Sequence, residues 1–117
     1  MPSRRTALAL PGMLLPTLAP RLARAQETPG ITATEIRFGG TTALSGPVSA
    51  LGVQAKAVDA VCRMVNEAGG IAGRRLTFII YDDGFSPPKT LEQTRRLIEQ
   101  DRVAFLFNML GTAPNNA

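Results

Sequence analysis

Residues 76–81, Leu-Thr-Phe-Ile-Ile-Tyr, form a nearly continuous apolar run that ends at Asp82-Asp83-Gly84. A strand that is apolar on both faces is expected in a parallel sheet that helices cover on each side. The run 103–107, Val-Ala-Phe-Leu-Phe, has the same character. Residues 35–40, Glu-Ile-Arg-Phe-Gly-Gly, alternate and then end in glycine, which is typical of a short strand that runs into a loop. The sequence therefore predicts three strands.

Two helical segments separate these strands. From about Ser49 to Ala68, apolar residues recur at intervals of three and four, which predicts one long helix with an apolar stripe; the stripe contains Val53, Ala57, Val58, Val61, Met64, Val65 and Ala68. Gly69-Gly70 is expected to end this helix, because glycine accepts the left-handed backbone of a C-terminal cap. The second helix is predicted from roughly Lys89 to Gln100, with its inner face formed by Leu91, Arg95, Leu97 and Ile98.

The order of elements is strand, helix, strand, helix, strand, with connections short enough for right-handed parallel crossovers. We therefore expect an α/β fold with a doubly wound parallel sheet. With 117 residues, the chain is long enough for one domain at most. The single cysteine, Cys62, falls in the first predicted helix, where we expect it to be buried as a small apolar side chain.

The first 25 residues have the features of an export signal. Arg4 and Arg5 are followed by a mostly apolar, uncharged stretch from Ala7 to Ala19, and Ala23-Arg24-Ala25 matches the small-x-small pattern of signal peptidase sites. We expect residues 1–25 to be a signal peptide cleaved near Ala25, residues 26–34 to be a linker, and the mature protein to be periplasmic. The leader fits the general secretory route and also partly a twin-arginine signal. A membrane anchor fits poorly, because the apolar stretch is short and contains prolines.

The positive charge of the chain is confined to this leader. The chain has 13 Lys and Arg residues, of which four lie in residues 1–25, so 13 − 4 = 9 basic residues balance the nine acidic residues that follow. A nucleic-acid partner requires a basic patch on the folded part, and no run after residue 25 supplies one. We therefore expect no nucleic-acid binding.

Three polar loops, 41–52, 82–88 and 108–115, follow the three predicted strands. In open parallel sheets, ligands bind beyond the carboxyl ends of the strands. The first and third loops each open a helix, whose free N–H groups favour a carboxylate. Ser45 and Thr112 could add hydroxyl donors there, or they could simply cap the helices. The residues alone leave both interpretations open.

Other features argue against chemistry. Asp82-Asp83 could suggest paired carboxylates, a metal ion or a phospho-acceptor, but its position beside Gly84 favours a turn-and-cap role. Residues 69–73, Gly-Gly-Ile-Ala-Gly, end a helix and lead into a strand, which is the reverse of a pyrophosphate-binding loop. The chain has no histidine and no Gly-x-Ser-x-Gly elbow. We therefore expect no catalytic residue, cofactor or metal ion, although an enzyme whose catalytic residues lie elsewhere was weighed as a third hypothesis.

The ordered set of motifs resembles the periplasmic branched-chain amino-acid binding proteins, the leucine-binding type of the type I fold. The motifs that carry this resemblance are Gly30-Ile31-Thr32, Leu44-Ser45-Gly46-Pro47, the run Asn66 to Arg75, Asp82-Asp83 with Pro87-Pro88, and Leu110 to Asn115. The resemblance implies two α/β lobes joined by a hinge, which close on a ligand and deliver it to an ABC permease. A ligand-sensing regulatory domain of the same fold is the alternative function.

The resemblance also implies a ligand site. In such proteins the hydroxyl residue after the third strand, here Thr112 beside Gly111, contacts the ligand carboxylate. Leu51, which precedes the glycine of the first helix, lines the side-chain pocket. An aromatic residue is often found at the position of Leu51, and many relatives bind other small carboxylates, amides or aromatic acids. We therefore expect Ser45, Leu51, Gly111 and Thr112 to contribute to the site.

The resemblance covers residues 35–117 as the first half of the N-terminal lobe. The hinge and second lobe, with the groups that would hold a ligand ammonium, are not among these residues. The expectation from sequence is that residues 26–117 alone neither fold stably nor bind ligand appreciably, because apolar surface on the third strand and its neighbouring helix would remain uncovered.

Overall fold

The computed structural model of the chain describes residues 28–117. The predicted signal peptide and its cleavage site near Ala25 lie outside the described residues. Residues 28–117 contain no helix whose length and hydropathy would let it span a bilayer.

Two strands form the regular part of the sheet. Strand β1, Glu35–Thr42, pairs in parallel with β2, Arg75–Asp82, along the full length of both. β1 continues past the glycine pair that was predicted to end it. Gly39 and Gly40 serve close packing instead, since a Cβ atom on Gly39 would lie 2.6 Å from Leu97 Cδ2 and one on Gly40 would collide with the carbonyl oxygen of Phe107.

The third predicted strand, residues 103–107, is not a regular strand. It lies on the other side of β1, where the Ala104 N–H donates to the Arg37 carbonyl oxygen at 2.8 Å and the Phe107 N–H donates to that of Gly39 at 2.8 Å. Gly39 and Leu106 form a single parallel bridge. The segment is short because its flanking residues Arg102 and Asn108 have left-handed backbones, with φ of 51° and 60°. Its apolar side chains are not buried on both faces either, since Phe105, Leu106 and Phe107 are 48%, 37% and 49% exposed.

The helices connect these three segments. A short 3-10 helix, Ser49–Gly52, leads into α1, Val53–Glu67, so the α-helix begins four residues later than predicted. Helix α2, Pro87–Glu99, includes both prolines in its first turn, where they leave no amide unpaired. A four-residue helix, α3, follows at Thr112–Asn115. The spatial order is β2, β1 and then 103–107, so right-handed crossovers place α1 and α2 on opposite faces. The predicted doubly wound, parallel α/β fold is confirmed.

The buried face of α1 differs from the predicted apolar stripe. Val53, Val61 and Met64 are more than half exposed, while Ala55 and Cys62 are buried. Ala55 and Cys62 are seven positions apart, two helical turns, and their small side chains let the helix approach the sheet closely. The prediction for Cys62 is therefore confirmed, and burial raises the pKa of its thiol.

Helix α2 shows the same kind of difference. Leu97 is fully buried, as predicted, and Thr90 shares its face, whereas the other three predicted inner residues are exposed: Leu91, Arg95 and Ile98. Thr90 and Leu97 are again seven positions apart. Only a narrow line of each helix therefore contacts the sheet.

The described part of the predicted linker lies against β1. The Arg37 N–H donates to the Gly30 carbonyl oxygen at 2.7 Å, and Ile31 forms an antiparallel bridge with Ile36. A Cβ atom on Gly30 would collide with the Ala104 backbone, so glycine is required where this turn passes 103–107.

Candidate functional site

Three loops meet at the carboxyl edge of the sheet. A Cβ atom built on Gly84 would lie 4.0 Å from Ser45 Oγ, and one built on Gly111 would lie 2.7 Å from Cε2 of Phe85. The Leu110 N–H donates to the Thr41 carbonyl oxygen at 3.5 Å. The loop that begins after β2 is therefore next to both the Ser45 loop and the Gly111 turn. The structure brings the segments around Ser45 and Thr112 to one edge of a parallel sheet.

Asp82 organises the loop that follows β1. Its Oδ1 atom accepts the backbone N–H groups of Leu44 at 2.8 Å, Ser45 at 3.2 Å and Gly84 at 3.0 Å. A side-chain hydrogen bond from Ser45 is the main cause that lowers the pKa of Asp82 to about 2, with the three backbone bonds adding to it against partial burial. Asp82 therefore holds the loop as an ionised acceptor.

This arrangement changes what Ser45 can offer a ligand. An ionised carboxylate can only accept hydrogen bonds, so the hydroxyl proton of Ser45 is directed at Asp82. The Ser45 oxygen then has lone pairs left for a ligand donor such as an ammonium group. Sequence reasoning treated Ser45 as a donor, and the geometry indicates an acceptor.

Asp83 has the turn-and-cap role that the sequence predicted. Its carboxylate is fully buried. Oδ1 accepts the Phe85 N–H at 2.8 Å, and Oδ2 accepts the Thr90 hydroxyl at 3.0 Å, which ties the turn to the first part of α2. Within residues 28–117, no three side chains of the metal-ligating types come together. The pair Asp82-Asp83 therefore holds two loops in place.

Thr112 does not cap α3. Gly111 is the N-cap residue, with φ 116°, and no side chain makes a capping bond there. Thr112 is the first residue of the helix and is exposed. The capping interpretation is therefore wrong for Thr112, because the left-handed region that Gly111 occupies requires glycine at the cap position.

Leu51 lies in the turn before α1 and is half-buried. Its N–H donates to the Val48 carbonyl oxygen at 3.0 Å. The next residue, Gly52, packs closely under Leu44, since a Cβ atom there would lie 3.0 Å from Leu44 Cδ2. Leu51 therefore belongs to the same loop as Ser45.

Two features of the edge were missed by sequence reasoning. Phe85 lies between the two ligand loops, and its position in the turn Asp82 to Ser86 was the signal available to find it. Thr42 Oγ1 and Asn108 Nδ2 are buried without a hydrogen-bond partner among residues 28–117. A buried polar group without a partner costs about 1–3 kcal/mol. The edge thus has polar groups beyond those that the fold uses.

Comparison with known proteins gives the family. The model of the family "Periplasmic binding protein" matches residues 35–117. None of the curated proteins matches the sequence. Among solved structures, a fatty acid ABC transporter substrate-binding protein from Thermomonospora curvata is 26% identical with a TM-score of 0.66, over 76% of this chain and 23% of its own.

Two further structures are similar to this chain. A possible leucine/isoleucine/valine-binding protein from Rhodopirellula baltica SH 1 is 26% identical with a TM-score of 0.66, over 79% of this chain and 24% of its own. The branched-chain amino acid transporter substrate-binding protein of Streptococcus pneumoniae, solved in complex with isoleucine, has the same TM-score at 22% identity, over 70% of this chain and 24% of its own. This chain spans about a quarter of the length of these structures. The described residues form part of one lobe of the type I fold, and the chain belongs to the periplasmic binding protein family.

Proposed function

We propose that this chain is part of the substrate-binding component of an ABC transporter that imports branched-chain amino acids or related small carboxylates and amides. The observation that carries the proposal is the meeting of the Ser45, Leu51 and Gly111–Thr112 loops at the carboxyl edge of the sheet. In open parallel sheets this edge is where ligands bind. The relatives named above include binding proteins for fatty acids and for branched-chain amino acids, which are small apolar carboxylates in both cases.

The chemistry of the edge suits such a ligand. Thr112 has an exposed hydroxyl that is not used for capping and can donate to a carboxylate. Ser45 has lone pairs that can accept from an ammonium group. The half-buried Leu51 supplies apolar surface for a side chain. Small-molecule sites combine a few oriented polar groups with apolar walls in this way.

The organisation of the chain follows from the same proposal. Residues 1–25 act as a signal peptide, residues 26–34 as the linker, and residues 35–117 as part of the N-terminal lobe. The protein then works in the periplasm and delivers its ligand to a membrane permease. Binding without chemical conversion of the ligand is its activity, and the second lobe of the complete polypeptide completes the site.

The experiment is calorimetric titration of the complete polypeptide that carries this chain. L-isoleucine, L-leucine and octanoate are the probes, because they separate an amino-acid site from a fatty-acid site. Thr112→Val removes the hydroxyl with little change of shape, and we expect it to weaken binding about tenfold. Thr112→Ser retains the hydroxyl and should bind like the parent protein.

Thr94→Val, on α2 away from the edge, is the matched control and should leave the dissociation constant unchanged. Failure of the parent protein to bind any small carboxylate or amide would contradict the proposed function. Equal affinity of the parent protein and Thr112→Val would remove Thr112 from the site. Tight binding of octanoate together with no binding of either amino acid would replace the ligand class.

A further inference from the structure

Phe85 has a backbone conformation that is unusual for its residue type. Its φ is 61°, and it follows Gly84, whose φ is 56°. Bulky side chains rarely adopt the left-handed region, and such residues persist only where the surrounding structure holds them. Here the Phe85 N–H donates to Oδ1 of the fully buried Asp83 at 2.8 Å, and the Thr90 hydroxyl donates to Oδ2 at 3.0 Å. The turn is therefore held from inside.

The ring of Phe85 packs on Gly111. A Cβ atom on Gly111 would lie 2.7 Å from Cε2 of Phe85 and 2.9 Å from the Pro114 ring, so the contact exists only because residue 111 has no side chain. Gly111 has φ 116°, which also requires glycine. The ring, Gly111 and Pro114 therefore fix the turn from which Thr112 begins α3.

The ring is not needed by the turn in which Phe85 lies. The hydrogen bond to Asp83 uses the backbone N–H of residue 85, so glycine would make the same bond and would adopt φ 61° without strain. What the phenyl ring adds is its contact with Gly111, in the loop that carries Thr112. An aromatic residue at this strained position thus serves the third loop and not its own.

We propose that Phe85 is a positioning residue for the ligand site, which acts through Gly111 to hold Thr112 in place for the carboxylate of a small apolar acid. This inference rests on the proposed function for its ligand. It assigns to Phe85 an effect on affinity that is separate from any effect on the stability of the fold. Phe85 itself does not have to touch the ligand.

The test compares the complete polypeptide with its Phe85→Gly variant in two measurements. Hydrogen exchange followed by mass spectrometry reports on peptides that contain residues 109–112, and this readout needs no ligand. Calorimetry with L-isoleucine reports on affinity. We expect faster exchange at residues 109–112 and binding about tenfold weaker, with the melting temperature lowered little because glycine relieves the backbone strain. Phe85→Tyr keeps the ring and should restore both values.

Ala72→Gly is the matched control. Ala72 also has a left-handed backbone, with φ 50°, but it lies in the turn before β2 at the opposite edge of the sheet. The same relief of strain there should leave exchange at residues 109–112 and affinity for L-isoleucine unchanged. Should Phe85→Gly fail to fold, Phe85→Asn, which also tolerates a left-handed backbone, replaces it in both measurements.

Unchanged exchange at residues 109–112 in Phe85→Gly would overturn the inference whether or not a ligand binds. Faster exchange with unchanged affinity for L-isoleucine would overturn it as well. If the parent protein binds none of the probes, the proposed function fails, while exchange still decides whether Phe85 holds the Gly111 turn.

Discussion

The side chain of Asn66 pairs with both backbone groups of Leu76. Its Nδ2 atom donates to the Leu76 carbonyl oxygen at 2.9 Å, and its Oδ1 atom accepts the Leu76 N–H at 2.8 Å. This pattern is the one that a neighbouring strand would offer, so the side-chain amide satisfies the exposed edge of β2 near its start. The last part of α1 is thereby tied to the second strand.

We expect Asn66→Ala to lower the free energy of unfolding of the complete polypeptide by about 2 kcal/mol, because it leaves two half-buried backbone groups without partners. Urea denaturation measures the change. Glu67→Ala, at the exposed neighbouring position, is the control and should stay within about 0.5 kcal/mol of the parent protein. Equal stabilities of the two variants would contradict the structural role of the amide pair.

Asp82 gives the fold a dependence on acid. Its pKa is about 2 in the folded protein against an ordinary value of 3.8, so the carboxylate stabilises the fold above about pH 4 and this contribution is lost as the pH falls toward 2. Asp82→Asn should be less stable than the parent protein at pH 6, with a difference that shrinks between pH 4 and 2. Urea midpoints measured across this range provide the test.

Asp59→Asn serves as the control for Asp82. Asp59 lies on the exposed face of α1, where its carboxylate pairs with Arg63 at 3.2 Å, away from the loop amides. This variant should have nearly the same acid dependence as the parent protein. A stability difference for Asp82→Asn that is constant from pH 6 to pH 2 would show that its charge does not hold the loop.

Leu97 is the anchor of α2. It is fully buried, whereas its neighbour Ile98 is 53% exposed. Leu97→Ala should cost about 2–5 kcal/mol in the free energy of unfolding, from lost burial and the cavity that remains. Ile98→Ala removes a similar apolar volume from a solvent-facing position and should cost well under half as much. Thermal denaturation of both variants decides it, and a larger loss for Ile98 would refute the orientation of the helix.

Gly40 allows β1 and the 103–107 segment to approach closely. Gly40→Ala would force its Cβ atom into the Phe107 carbonyl oxygen, and we expect a loss of about 1–3 kcal/mol or more from the backbone shift. At Gly46 a Cβ atom would meet nothing within 4 Å, but φ is 82°. Gly46→Ala should therefore cost about 1–2 kcal/mol from backbone strain alone. The two strains can be separated by amide exchange, which should rise at residues 105–107 only for Gly40→Ala.

The order and direction of the elements could be predicted from the sequence, whereas the burial of helix faces could not. Periodicity in α1 showed that a helix was present, but this helix has two apolar lines. The larger residues Val53, Val61 and Met64 face away from the sheet, while the small residues Ala55 and Cys62 face it. Hydrophobicity alone favours the larger residues, and the closeness of packing that selects the smaller ones is a property of the fold.

The candidate site shows a similar division. The convergence of the Ser45 and Thr112 loops follows from the rule that parallel strands end at one edge, so sequence could predict it. The direction of the Ser45 hydrogen bond could not be predicted, because it depends on where Asp82 Oδ1 lies. Phe85 was missed since nothing in a sequence indicates that an aromatic residue will adopt a left-handed backbone.

The central position of β1 has a consequence for how the chain acquires its structure during synthesis. β1 is made first, yet Glu35 meets its partner Arg75 only 75 − 35 = 40 positions later, and Gly39 meets Leu106 only after 106 − 39 = 67. At about 5–20 residues per second, the oldest strand waits roughly 2–8 seconds for its first neighbour. The sheet therefore grows outward from the ribosome-distal end of the polypeptide, and during that interval a chaperone has an unpaired strand to bind.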